Sequence, residues 1–116
     1  MQLIVAGSRN CTDVPLIYHT LSTIVQHSDI VLHGGARGVD RLAGQWCHRH
    51  AVACRVHLAA WERFGKSAGC RRNLAMAREA DALIAFWDGQ SPGTAHMIQC
   101  MEQLGKPVVV VRCAGA

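Results

Sequence analysis

The amino-acid sequence predicts an α/β protein: a doubly wound sheet of about five mainly parallel strands with helices on both faces. Three observations predict it. Short, almost wholly apolar runs alternate along the whole length with stretches whose apolar residues recur at helical spacing. The apolar runs show little of the apolar–polar alternation of a sheet with one wet face, so they read as strands covered on both sides. The chain has 116 residues, half of them hydrophobic and 17% charged, which suits a single domain, 1–116, with one core and excludes a disordered chain.

The elements follow in order. Residues 3–6 form a first strand that ends at Gly7. Thr12 or Asp13 caps a first helix with Pro15 in its opening turn, and Val14, Ile17, Leu21, Ile24 and Val25 recur at helical spacing along it. Residues 29–32 are a second strand, followed at once by His33-Gly34-Gly35. Val39, Leu42, Ala43, Trp46 and Cys47 define a second amphipathic helix. Residues 53–58 form a third strand, polar enough to lie near an edge. The glycine-punctuated stretch 61–69 reads as a long loop, and 72–80 as a third helix. Residues 82–87 are a strongly apolar fourth strand, and 88–93 a turn-rich loop. Thr94 caps a fourth helix with Met97, Ile98, Met101 and Leu104 inward; Gly105 ends it and Pro107 blocks its continuation. Residues 108–111 are the last strand. Right-handed crossovers between such strands give a Rossmann-like layer of order 3-2-1-4-5, with the switch between the first and fourth strands.

Composition narrows the function classes. No apolar run approaches the ~20 residues of a membrane span. The amino-terminal stretch lacks the basic segment of a signal peptide, and a cytoplasmic setting is expected. Six cysteines, at 11, 47, 54, 70, 100 and 113, show no C-x-x-C spacing and are expected to be reduced thiols, mostly small core residues. The net charge is +4, and ten of the twelve bases are arginine, whose planar fork suits phosphate. The bases form no dense run, so a polybasic nucleic-acid or membrane tail is not supported.

In an open α/β sheet a ligand sits at the carboxyl ends of the strands, near the switch point. Four motifs fall there. Gly7-Ser8-Arg9 offers close backbone approach, a hydroxyl and a phosphate fork. His33-Gly34-Gly35-Ala36-Arg37-Gly38-Val39-Asp40 opens a helix straight after a strand, where free amides and the helix dipole favour an anion. It is neither a P-loop nor a dinucleotide fingerprint. The stretch from Trp61 to Asn73 holds Trp61, which can stack on a base or anchor a core, and Arg72 and Asn73, within reach of phosphate or sugar. Asp88-Gly89-Gln90-Ser91-Pro92-Gly93-Thr94 ends at a helix start and makes a second anion nest from the Gly93 and Thr94 amides. Cys47-His48-x-His50 is spread around a helix, so no metal site is expected. His33, at a strand end, is the histidine best placed for function, and His96 follows the fourth motif.

Taken in order along nearly the whole chain, these motifs resemble the SLOG superfamily, the Rossmann-like group named for the Smf/DprA and Lonely Guy proteins, and within it the small YspA-type branch. The resemblance rests on Gly7-Ser8-Arg9, on residues 33–40, on Trp61 with Gly65-Lys66-x-Ala68-Gly69-x-x-Arg72-Asn73-x-x-Met76, and on Phe86-Trp87-Asp88-Gly89-x-Ser91-x-Gly93-Thr94. It implies a nucleotide or nucleotide-derived ligand at these loops and a homodimer or higher homo-oligomer, for which Trp46 or the fourth helix offers an apolar patch. Lonely Guy enzymes cleave the N-glycosidic bond of a nucleoside monophosphate. Arg72 and Met76 match their first motif, but His96 stands where their second motif has its catalytic Glu, leaving Asp88 as the nearby carboxylate.

The leading expectation is therefore a binding module for a nucleoside monophosphate, ADP-ribose or cyclic-nucleotide type of ligand, acting as sensor or sponge, with no cofactor. Its binding residues are Gly7, Ser8, Arg9, His33, Gly34, Gly35, Arg37, Gly38, Asp40, Trp61, Arg72, Asn73, Asp88, Gly89, Ser91, Gly93 and Thr94. One alternative is a nucleotide N-glycosidic or phosphoester hydrolase using Asp88, His33 and Arg72. The other is DprA-like binding of single-stranded DNA, for which the 5% aromatic content is thin.

Overall fold

A computed structural model of the chain describes residues 1–113. Five strands, β1 (Gln2–Gly7), β2 (Ile30–His33), β3 (Ala53–Val56), β4 (Ala82–Trp87) and β5 (Val108–Arg112), form one sheet in the order β3-β2-β1-β4-β5. Every pairing is parallel. The helices are α1 (Val14–Ile24), α2 (Val39–His50), a short α3 (Trp61–Phe64), α4 (Ala68–Glu79) and α5 (Pro92–Gln103).

Strand parity sorts the core. Successive strand residues point to opposite faces. Leu3, Val5, Ile84 and Phe86 pack with Ile17 and Leu21 of α1 and Ala43 and Trp46 of α2. Ile4, Leu83 and Ala85 face the other way, onto Met76 and Ala77 of α4 and Met97 and Met101 of α5. The first two crossovers thus cover one face and the later ones the other. The chain departs in opposite directions from β1 and from β4, which opens a crevice at their carboxyl ends.

Local chemistry fixes the helix ends. Asp13 caps α1, its Oδ1 accepting from the Leu16 amide at 3.2 Å, with Pro15 in the first turn. Ala51 takes the left-handed conformation after α2, whose last turn carries His48, Arg49 and His50 against the helix dipole. Lys106 closes α4 by donating from Nζ to the carbonyls of Ala77 and Arg78, at 2.7 and 3.0 Å. Among the described residues no helix is long and apolar enough to cross a membrane.

The structure corrects several expectations. The stretch 61–69 is not a loop: it holds α3, a 3-10 turn at Gly65–Ser67, and the start of α4. Helix α5 begins at Pro92, so Thr94 lies inside its first turn rather than capping it. Leu104 is exposed, not inward, and Val14 and Ile24 are exposed too. Trp46 is 2% exposed and donates from Nε1 to Ser22 Oγ at 3.1 Å, so it offers no surface patch. The cysteines are not all free: Cys11 and Cys113, both buried, form a disulfide with a Cα–Cα distance of 5.8 Å. Cys54 and Cys70 are exposed rather than core residues.

Candidate functional site

A cleft of about 570 Å³ lies at the carboxyl ends of β1 and β4. Gly7 ends β1 where nothing larger fits: a Cβ there would stand 2.5 Å from Val39 Cγ2 and 2.6 Å from the Phe86 carbonyl oxygen. The chain then turns through Ser8, which is buried; its amide donates to the Phe86 carbonyl at 3.1 Å and its Oγ accepts from the Asp88 amide at 3.2 Å. That pair of bonds ties the first site loop to the fourth. Arg9 and Asn10 stand exposed at the rim.

The glycine-rich loop after β2 is organised around Asp40. This residue is 6% exposed, and its Oδ2 accepts from the amides of Gly34 (3.0 Å) and Ala36 (3.2 Å). The Gly35 amide donates to His33 Nδ1 at 3.0 Å. The amides expected to hold a phosphate here are thus given to in-chain acceptors. Burial pushes the Asp40 carboxyl up to about 6, against the pull of the Ala36 amide, the Arg72 charge, the Gly34 amide and the Arg9 charge.

Arg72, on α4, is held by three acceptors. Nε donates to Asn73 Oδ1 at 2.9 Å, and Nη1 to the carbonyls of Gly34 at 2.9 Å and His57 at 3.3 Å. Its Nη2 has no protein partner among the described residues. Asn73 is buried and bridges the wall: its Nδ2 donates to the Gly93 carbonyl and to His96 Nδ1, each at 3.2 Å. The Gly93 and Thr94 amides lie in the first turn of α5, where a helix provides no internal acceptor. Nothing lies within 4 Å of a Cβ built on Gly93, so the space before it is open. In the preceding loop Asp88 Oδ1 accepts from the amides of Gln90 (2.9 Å) and Ser91 (2.8 Å). Those of Ser91 and Gln90 hold its carboxyl below the usual carboxylate range.

Of the residues expected to bind a ligand, the cleft gathers Gly7, Ser8, Arg9, Gly34, Asp40, Arg72, Asn73, Asp88, Ser91, Gly93 and Thr94. It does not gather His33, Gly35 and Arg37, which line a separate groove behind the glycine-rich loop. Gly38, Gly89 and Trp61 line neither. Trp61 is 54% exposed, and its ring lies on Gly69 of α4, where an added Cβ would sit 3.3 Å from Cη2. His96 is bonded to Asn73 rather than lining the cleft. Asn10, Gln90, Met76 and Met97 line it without having been singled out as binding residues. Their signals were in the sequence: Asn10 and Gln90 sit inside the two motifs, and Met76 and Met97 lie one helical turn beyond Arg72 and Gly93. Of the Cys47-His48-x-His50 cluster, Cys47 is buried and His50 stacks on Trp46 with ring centroids 4.5 Å apart.

The fold and this cleft define the class: a Rossmann-like α/β domain with a ligand-sized crevice at its switch point. The YspA, cpYpsA-related SLOG family (YAcAr) matches residues 1–64, and the chain belongs to that family. The gene 61 protein of Mycobacterium phage D29 is 35% identical over 117 residues, covering 93% of this chain and 94% of that protein. Among solved structures, the protein TM1055 superposes with a TM-score of 0.74 at 23% identity, covering 98% of this chain and 76% of that one. DNA processing protein A (DprA) from Streptococcus pneumoniae superposes with a TM-score of 0.80 at 16% identity; 94% of this chain is covered but only 49% of that protein. At these identities the likeness to the solved structures is one of fold.

Proposed function

We propose that the chain binds a nucleotide-derived small molecule, of the nucleoside monophosphate, ADP-ribose or cyclic-nucleotide type, in the cleft between β1 and β4. The observation that carries this reading is the bridge at Asn73. One side chain joins Arg72, through its Nε, to Gly93, through its carbonyl. A guanidinium with an unused nitrogen and the open amides of a helix start therefore share one wall of the cleft. A phosphate placed there gains charge-assisted hydrogen bonds and the favourable end of the α5 dipole. The volume of about 570 Å³ falls within the range of small-molecule sites. Membership of a SLOG family supports the same ligand class.

In this reading the phosphate rests on Arg72, Gly93 and Thr94, with Arg9 at the mouth. Ser8, Asn10 and Gln90 meet the sugar and base. Asp40 and Asp88 act by shaping their loops, since each gives an oxygen to two backbone amides. Hydrolysis is less well served: Asp88 is turned toward its own loop, and His33 lies outside the cleft.

Titration calorimetry with AMP, ADP-ribose and cyclic AMP tests the proposal. Arg72→Ala is expected to weaken the best of these at least tenfold, or about 1.4 kcal/mol. No binding by any of the three would overturn the reading, and unchanged affinity would remove Arg72 from the site. Free base appearing in the cell would move the protein to the hydrolases.

A further inference from the structure

The residues that the cleft leaves out have a place of their own. His33, Gly35, Arg37, Arg41 and Gly44 line a groove of about 1020 Å³ on the α1–α2 side of the glycine-rich loop, which meets the cleft at Ala36. We propose that this groove is a second binding site, for an organic phosphate monoester whose organic part is apolar or aromatic.

Four features carry the inference. The first is His33, 6% exposed at the groove floor. Its Nδ1 accepts the Gly35 amide, so the ring proton is on Nε2. Nε2 has no partner among the described residues, yet it is not sealed off. A buried ring N–H ordinarily finds an acceptor. The second is Gly44, in the middle of α2, where glycine weakens a helix. A Cβ there would come within 3.1 Å of His33 Nε2, so the missing side chain keeps that nitrogen open to the groove.

The third is charge. Arg41 and Arg49 follow one stripe of α2, and Arg37 precedes it on the same side. No carboxylate lines the groove among the described residues, and none of these arginines is in an ion pair. The only acid of the helix, Asp40, is turned to the loop amides on the opposite side. The fourth is an apolar ledge. Val56 and Leu58 are exposed and close on Gly35, where an added Cβ would lie 3.2 Å from Val56 Cγ1 and 2.9 Å from Leu58 Cδ2. A cationic stripe beside an apolar ledge, with one buried donor between them, matches a molecule with a dianionic head and a flat or greasy body. Inorganic phosphate would leave the ledge unused.

Phenyl phosphate is a suitable probe, titrated while amide resonances are followed by NMR. Saturable shifts at Gly35, Arg41 and Gly44 are expected, with inorganic phosphate at least fivefold weaker. Arg41→Ala should reduce the affinity at least tenfold. Gly44→Ala should weaken binding while leaving the melting temperature unchanged or raised, because alanine favours the helix; this variant separates a lost site from a lost fold. Binding should survive Arg9→Ala, whose exposed side chain lines only the other cleft. No saturable binding by about 10 mM, weaker than the millimolar affinities worth about 4 kcal/mol, would overturn the proposal. So would equal affinity for inorganic phosphate, or loss of binding in Arg9→Ala alone. None of these results bears on AMP in the first cleft.

Discussion

Asp40→Asn tests how the glycine-rich loop is held. The wild-type carboxylate is buried, and burial lifts its titration from the usual 3.8 to about 6. The folded protein therefore holds a proton over a pH range where the unfolded chain has released it. The sign follows: stability falls as pH rises from about 4 to about 6, and the loss is complete above that. At 1.36 kcal/mol per pKa unit the loss is on the order of 3 kcal/mol. Asparagine keeps the shape, and its one carbonyl oxygen can still accept from Gly34 and Ala36, but it never carries the charge. Urea unfolding of the two proteins, followed by circular dichroism at fixed redox state between pH 4 and 7, should give curves that do not run parallel. The asparagine variant gains on the wild type by about 3 kcal/mol across that range. A constant difference from pH 4 to pH 7 would refute the reasoning, for it would mean that Asp40 titrates alike in the folded and unfolded chains. Asp40→Ala separates charge from bonding: it strips both amides of their acceptor and should destabilise by about 2–4 kcal/mol at pH 4, where the wild-type carboxyl carries its proton.

Two other perturbations have clear expectations. Cys11→Ser, or reduction of the wild type, opens a cross-link between residues 102 apart, and the chain-entropy account puts the loss at about 4–5 kcal/mol; alkylation in denaturant should label four thiols before reduction and six after. Equal labelling in both would show that the pair is open in solution. Gly7→Ala forces a methyl between Val39 and the Phe86 carbonyl and should cost about 1–3 kcal/mol in a chemical melt, whereas an unchanged midpoint would mean that β1 and α2 are not so closely packed.

The sheet was legible because its signal is periodic and redundant. Every strand but the partly polar third shows several consecutive apolar residues, and the crossover rule then leaves few orders for five parallel strands. The errors fell where one residue type serves two purposes. Gly65 and Gly69 were read as loop punctuation, but Gly69 sits inside α4, where the Trp61 ring covers it. The covering contact is tertiary, so no local pattern announces it. Leu104 kept the helical spacing of Met97 and Met101, yet α5 ends at Gln103 and the leucine lies beyond the last regular turn, 44% exposed. The Cys11–Cys113 bond ties the turn after β1 to the residue after β5, and spacing alone carries no trace of it.

The glycine-rich loop shows the same ambiguity within the site. Gly34, Gly35 and Gly38 suggested a bare backbone awaiting an anion. The structure gives each glycine a steric reason instead. A side chain at Gly34 would strike the Arg72 guanidinium, and Gly38, at φ +78°, stands where a Cβ would be 2.6 Å from the Arg9 carbonyl oxygen. The acceptor for the loop amides is Asp40, six residues after Gly34 and in the first turn of α2. That carboxylate is visible in the sequence, where it counts among the ligand-binding residues. An acid in the first turn of the helix that such a loop opens competes with any external anion for the same amides. The loop after β4 differs in this respect: Asp88 precedes α5 and its carboxylate accepts amides only as far along as Ser91, leaving the Gly93 and Thr94 amides open. The position of the acid relative to the helix start therefore distinguishes the two glycine-containing loops, and it is the reason the proposed phosphate is put at α5 rather than α2.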